Sequence, residues 1–150
     1  MRAVIQRVTH ASVAIDGKIK SEIKAGLLVL LGIEENDTQQ DIDWLVKKII
    51  QMRIFSDADG KMNLSVQDIN GDILVISQFT LFASTKKGNR PGFTRSARPD
   101  IAIPLYEQFL SDMQTQFGKE IYSGEFGADM KVELLNDGPV TVIIDSQQPE

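Results

Sequence analysis

Two uninterrupted apolar runs constrain this chain more than any other feature. Leu27-Leu28-Val29-Leu30-Leu31-Gly32-Ile33 and Ile73-Leu74-Val75-Ile76 contain no polar residue. Each is too short for a typical helix and reads as a strand buried on both faces. The second run ends abruptly in Ser77, Gln78 and Thr80, which bring two hydroxyls and an amide. None of the three is charged at neutral pH. A core strand that finishes in hydrogen-bonding groups places a site on a rigid support. Such groups also satisfy backbone at strand ends. Both readings stand at this point.

Composition narrows the chemistry. The 150 residues suit one domain, 1–150, with a substantial core, and the 42% apolar and 25% charged fractions are ordinary for a globular protein. No run of 18 apolar residues predicts a membrane span, and Met1-Arg2-Ala3-Val4-Ile5 leads straight into a strand pattern rather than a signal peptide. A cytoplasmic protein is expected. With no cysteine, disulfides, thiolate nucleophiles and cysteine-ligated metals are excluded. The single histidine, His10, adjoins strand-like Ala11–Ile15 and reads as a surface or turn residue. An enzyme of this composition is expected to work without a metal or other cofactor, and without an imidazole base.

The net charge of −5 speaks against nonspecific nucleic-acid binding. Residues 84–98 nevertheless carry Lys86, Lys87, Arg90, Arg95 and Arg98 with no acidic residue, a local +5 that leaves −10 on the remainder. Gly88, Pro91, Gly92 and Pro99 make this stretch a loop. It reads either as a solvated surface loop or as a contact for phosphate or a nucleic-acid backbone, centred on Lys86, Lys87 and Arg90.

Along the chain, Arg2–Val8 and Ala11–Ile15 are strand-like, and Asp16-Gly17 signals a hairpin into a returning strand over Ile19–Lys24. Arg7 shares a face with Ala3 and Ile5. It is a rim charge in water, or a guanidinium fixed beside a site and donating to carbonyls. Asp37 or Thr38 caps a helix whose stripe is Ile42, Leu45, Val46, Ile49 and Ile50. Asp57-Ala58-Asp59-Gly60 resembles a calcium loop but has Met62 where glycine is required, so a tight turn is predicted. A second helix spans about Asp100–Phe117, with Tyr106, Phe109, Leu110, Met113 and Phe117 buried and Gly118 ending it. Pro104 is expected in its first turn. Ile121–Tyr122, Met130–Leu135 and Val140–Asp145 read as strands, with Asn136-Asp137-Gly138-Pro139 as the turn of a hairpin between the last two.

Ser77-Gln78-Phe79-Thr80-Leu81 and Asn136-Asp137-Gly138-Pro139-Val140-Thr141, taken together, resemble the two signature segments of the D-aminoacyl-tRNA deacylases. Gln6-Arg7-Val8, Arg53-Ile54-Phe55 with Gly60-Lys61-Met62-Asn63, and Gly88-Asn89-Arg90-Pro91 match as well, in order and across nearly the whole chain. The resemblance implies an α+β fold: a β-barrel-like mixed or antiparallel sheet core with two main helices packed outside, in a homodimer. It implies a cis Gly138–Pro139 bond that reaches into the partner's pocket, beside that subunit's Ser77–Thr80 segment. There its carbonyls would hold the substrate's α-amino group and reject an L side chain. Arg7 matches a position that braces this element, and Asn136 opens the segment. The implied reaction is hydrolysis of the ester of D-aminoacyl-tRNA, with Ser77, Gln78, Phe79 and Thr80 at the reacting carbonyl. A pocket built from main chain would also admit glycine. Thr80 as a nucleophile lacks a visible base. The family's favoured account uses the terminal ribose 2′-hydroxyl instead. A DNA-binding module without turnover, and a hydrolase of small esters or amides, are the competing readings.

Overall fold

The computed structural model describes residues 1–150. In chain order the elements are β1 (Arg2–Ile15), β2 (Lys18–Ile23), β3 (Gly26–Gly32), α1 (Gln39–Gln51), β4 (Phe55–Ser56), β5 (Met62–Leu64) and β6 (Asp72–Ser77). A 3-10 turn (Phe79–Phe82), α2 (Pro99–Phe117), β7 (Tyr122–Ser123) and β8 (Lys131–Asp145) follow. Six strands form one mixed sheet in the order β2-β1-β3-β6-β7, with β8 also on β1. β1 pairs antiparallel with β2, β3 and β8, whereas β3–β6 and β6–β7 are parallel. β8 has β1 along one edge and no strand along the other.

The apolar runs are buried on both faces, as their composition predicts. Leu27, Val29 and Leu31 of β3 join Ile73 and Val75 of β6 in a core that includes Ile42, Leu45, Val46, Ile49 and Ile50 of α1 and Phe109 and Met113 of α2. The alternate residues Leu28, Leu74 and Ile76 turn the other way and pack with Val8, Ala11, Val13 and Ile23. The sheet rolls around this second cluster into a nearly closed, barrel-like body with both helices outside. Each side chain fully withdrawn from water contributes about 1.5–3 kcal/mol, so two-sided burial makes these strands the rigid centre.

Local chemistry sets the helix ends. Thr38 is the N-cap of α1, and its N–H donates to Asp41 Oδ2 at 2.8 Å. Asp37 does not cap; its carboxylate accepts from the Met1 ammonium at 2.5 Å and from the Glu34 N–H at 2.7 Å. Gly118, at φ 79°, ends α2 by donating its N–H to the Gln114 carbonyl. Buried Tyr106 donates its hydroxyl to the Val75 carbonyl, and burial pushes its phenol up to about 12. Asp57 Oδ1 accepts from the Asp59 and Lys61 N–H groups, which makes the aspartate-rich segment a tight turn.

Three expectations are corrected. Arg2–Val8 and Ala11–Ile15 are one strand, because β8 pairs across the exposed Thr9–His10 step. α2 begins at Pro99, which puts Pro104 beyond its first turn. Pro104 is exposed, so the Asp100 carbonyl that loses its helical donor faces water. The last two predicted strands are one strand, β8, paired with β1 on both sides of an interruption at residues 137–140. Asn136–Pro139 therefore makes no hairpin.

The parallel seam between β3 and β6 leaves no room for a side chain at Gly26, where a Cβ would sit 1.9 Å from the Asp72 carbonyl oxygen. Gly26→Ala should lose about 3 kcal/mol of stability, measured by urea unfolding.

Candidate active site

The Ser77–Thr80 segment leaves the sheet where its ladder ends. Ser77 is paired with Leu31, and the Gln78 N–H makes the final bond, 2.8 Å to the Leu31 carbonyl. The chain then tightens into the 3-10 turn. Ala83 N–H donates to the Thr80 carbonyl at 3.1 Å, and Ser96 Oγ donates to the Phe79 carbonyl at 2.7 Å. The N–H groups of Phe79 and Thr80 open the turn, so no carbonyl within it accepts from them. The Gln78 amide donates to Thr80 Oγ1. An amide is not a base, so the Thr80 hydroxyl has no activating partner. Gly32 lets the turn seat on β3: a Cβ there would lie 3.0 Å from Leu81 Cβ and 3.2 Å from the Gln78 carbonyl oxygen.

Beside this turn lies a cavity of about 270 Å³, bounded by Ser77, Gln78, Phe79, Ile33, Ala97 and Met130. Its walls are mostly apolar, and Asp129 is the one charged residue among them. Phe79 is 56% exposed and meets the Phe93 ring edge-on at 5.1 Å. Ser96, bonded to the Phe79 carbonyl, and the Phe126–Met130 wall of the cavity border the candidate site and were missed by sequence reasoning. The available signal was a pair of glycines, Gly124 and Gly127, breaking the stretch before β8. Gly127 has φ 78°, and a Cβ on Gly124 would strike Met130 Sδ.

The second predicted segment is an excursion from β8. Asn136 pairs with Val8 and Thr141 with Gln6, so residues 137–140 arch over Arg7 alone. The Gly138–Pro139 bond is cis, and Gly138 has φ 130°. Arg7 is not a rim charge. Its Nε donates to the Asp137 carbonyl at 3.0 Å and its Nη1 to the Ile54 carbonyl at 2.8 Å. Asn136 Nδ2 closes the base of the arch by donating to the Arg7 and Val140 carbonyls at 3.0 and 2.9 Å. Gly138 and Pro139 themselves are exposed.

Within one chain the two segments are apart. Ser77 aligns through Leu31 with Ala3, whereas the arch lies at Arg7, four residues further along β1 and roughly 13 Å away along the strand. Ser77, Gln78, Phe79 and Thr80 thus come together with each other, and Arg7, Asn136, Gly138 and Pro139 with each other. In the basic loop, paired main-chain bonds between Ser84 and Gly92 pin the base. Arg95 pairs with Glu34 at 2.7 Å, while Lys86, Lys87 and Arg90 are exposed with no carboxylate at ion-pair distance.

Residues 4–145 match the family model described as D-Tyr-tRNA(Tyr) deacylase. The chain belongs to this family. A D-aminoacyl-tRNA deacylase of Bacteroides fragilis strain YCH46 is 63% identical over 150 residues, covering all of both chains. One from Flavobacterium johnsoniae is 61% identical over the same span, again in full. Among solved structures, the c-Myc DNA Unwinding Element Binding Protein superposes with a TM-score of 0.92 at 42% identity, covering 97% of this chain and 98% of that one. A "probable eukaryotic D-amino acid tRNA deacylase" shares the fold at a TM-score of 0.83 and 17% identity, over 95% and 97% of the two chains. These matches cover both segments, and the fold they share is the rolled mixed sheet with two outer helices.

The bracing geometry of Arg7 has a measurable consequence. Arg7→Met leaves the Asp137 and Ile54 carbonyls without their charged donor, which should cost about 2 kcal/mol. Amide exchange at residues 137–141 should accelerate while that of β3 and β6 is retained.

Proposed function

We propose that the chain hydrolyses the ester joining a D-amino acid to the 3′-terminal ribose of tRNA. Water adds to the carbonyl carbon, the ribose oxygen leaves with a proton, and free D-amino acid and tRNA are released. The observation that carries this reading is the pair of main-chain N–H groups, Phe79 and Thr80, opening a turn beside an apolar cavity. Donors fixed in advance stabilise the oxyanion that forms when the carbonyl is attacked. The ester is already reactive, so orientation and oxyanion stabilisation suffice without a metal, cofactor or imidazole. Ser77 and the Gln78 amide support the donors, and the 2′-hydroxyl of the substrate assists.

The active unit is a homodimer of single-domain chains, in the cytoplasm where aminoacyl-tRNA is used. The exposure of Gly138 and Pro139, and their distance from the Ser77–Thr80 turn of the same chain, support a site completed across subunits. In that site Gly138 and Pro139 of the partner subunit present carbonyls to the substrate's ammonium and leave no room for an L side chain. Arg7 and Asn136 hold the element in place within each chain. Glycyl-tRNA, having no side chain to exclude, is a substrate too. Lys86, Lys87 and Arg90 meet the tRNA backbone.

Paired time courses on D-tyrosyl-tRNA and L-tyrosyl-tRNA test the reaction: the D ester should be lost rapidly and the L ester spared. Equal hydrolysis would remove the chiral filter. Thr80→Ala should retain substantial turnover, and its complete loss with binding intact would reject the substrate-assisted account. Replacing Lys86, Lys87 and Arg90 with Gln should weaken tRNA binding and flatten its dependence on salt by up to about three logarithmic units per unit. The 42%-identical solved structure carries a DNA-binding name, which keeps one rival open. Gel-shift titration with duplex DNA at physiological salt decides it, and the acidic body of this chain predicts no shift.

A further inference from the structure

We infer that Arg2, clamped by Asp145, is the positioning residue of the Phe79–Phe82 turn. This rests on the ester-hydrolysis reading, in which that turn supplies the oxyanion donors. The last carbonyls of a helical turn have no donor within it. In this turn Arg2 supplies one, with its Nη1 donating to the Leu81 carbonyl at 2.8 Å. Its Nε and Nη2 both lie 3.0 Å from Asp145 Oδ2, at the last residue of β8. The guanidinium so fixed packs on the Phe82 ring, 4.7 Å from its centroid, and Phe82 is 1% exposed.

One planar fork therefore ties the end of the turn to the first residue of β1 and the last of β8. The start of the turn is held separately, by the Gln78 bond to Leu31 and by Ser96 on the Phe79 carbonyl. The Phe79 and Thr80 N–H groups hang between these two anchors. Their aim depends on both, and a displacement of about 1 Å at a reacting group costs on the order of 100-fold in rate. Arg2 does not border the cavity beside Ser77. It lines a different one, with Trp44, Leu81 and Ile143, so it acts through the turn and not on the substrate. Lysine is no substitute: an ammonium lacks the planar fork that serves a carbonyl and a carboxylate together.

The test is single-turnover hydrolysis of D-tyrosyl-tRNA at saturating enzyme by Arg2→Ala, Arg2→Lys and Asp145→Asn proteins. Arg2→Ala should lower the saturated rate about 30-fold while the half-saturating enzyme concentration changes less than about threefold. Millimolar guanidinium should restore much of that rate, because the Arg2 side chain is 26% exposed and its vacated place is reachable. Arg2→Lys should stay slow, and Asp145→Asn should fall between. An unchanged saturated rate, a loss confined to half-saturation, or no guanidinium rescue of a folded Arg2→Ala protein overturns the assignment. If Arg2→Ala does not fold, Arg2→Lys decides: a wild-type melting temperature with a wild-type rate overturns the role, and a slow rate at that temperature supports it. The wild-type control separates the two claims. Failure of the wild type on the D ester removes both, whereas an active wild type with unaffected Arg2 variants removes only the positioning role.

Discussion

β3 and β6 have no face toward water, and that constraint shapes everything around them. Leu27, Val29, Leu31, Ile73 and Val75 need a cover on one side, which α1 and α2 supply. Leu28, Leu74 and Ile76 need one on the other, and the sheet supplies it by rolling over itself. Polar groups are then admitted only where these strands stop. Ser77 and Gln78 stand at such a stop, on strands packed on both faces, a support that suits the proposed main-chain donors.

Two arginines extend this rigidity to segments that have no ladder of their own. Arg7 holds the arch of residues 137–140 by the Asp137 carbonyl, and Arg2 holds the 3-10 turn by the Leu81 carbonyl. Both lie on β1, which pairs with three other strands. Guanidinium is suited to this task because its donors sit in a fixed plane and are always charged. The two main-chain elements are thus indexed to one strand, although they lie at different levels of it.

Much of the architecture was legible in the sequence because periodicity reports burial directly. Ile42 to Ile50 gave α1, and the unbroken runs gave β3 and β6. Continuity was less legible. Thr9-His10 and Asn136–Pro139 look like breaks, yet β1 and β8 run through them because each has the other as a partner, and pairing between distant segments leaves no local mark. Asn, Asp, Gly and Pro serve a turn and a bulge equally well. Pro104 misled for a related reason: an exposed carbonyl in a helix can turn to water. At the site, Ser77–Thr80 stood out against the apolar run before it. Ser96, Arg2 and Met130 did not, since each is an isolated residue made relevant only by the fold.

The arch in β8 has another consequence, for behaviour in a crowded solution. The outer edge of β8 is 15 residues long and carries Leu135 at 54% and Ile143 at 67% exposure. A long, flat, apolar edge is a template for stray strands and for fibrils. Residues 137–140 divide it into two short stretches out of step with each other, and a proline without an N–H stands at the division. An intruding strand finds no continuous ladder to copy. Straightening the arch by deletion would restore that ladder along the edge of β8.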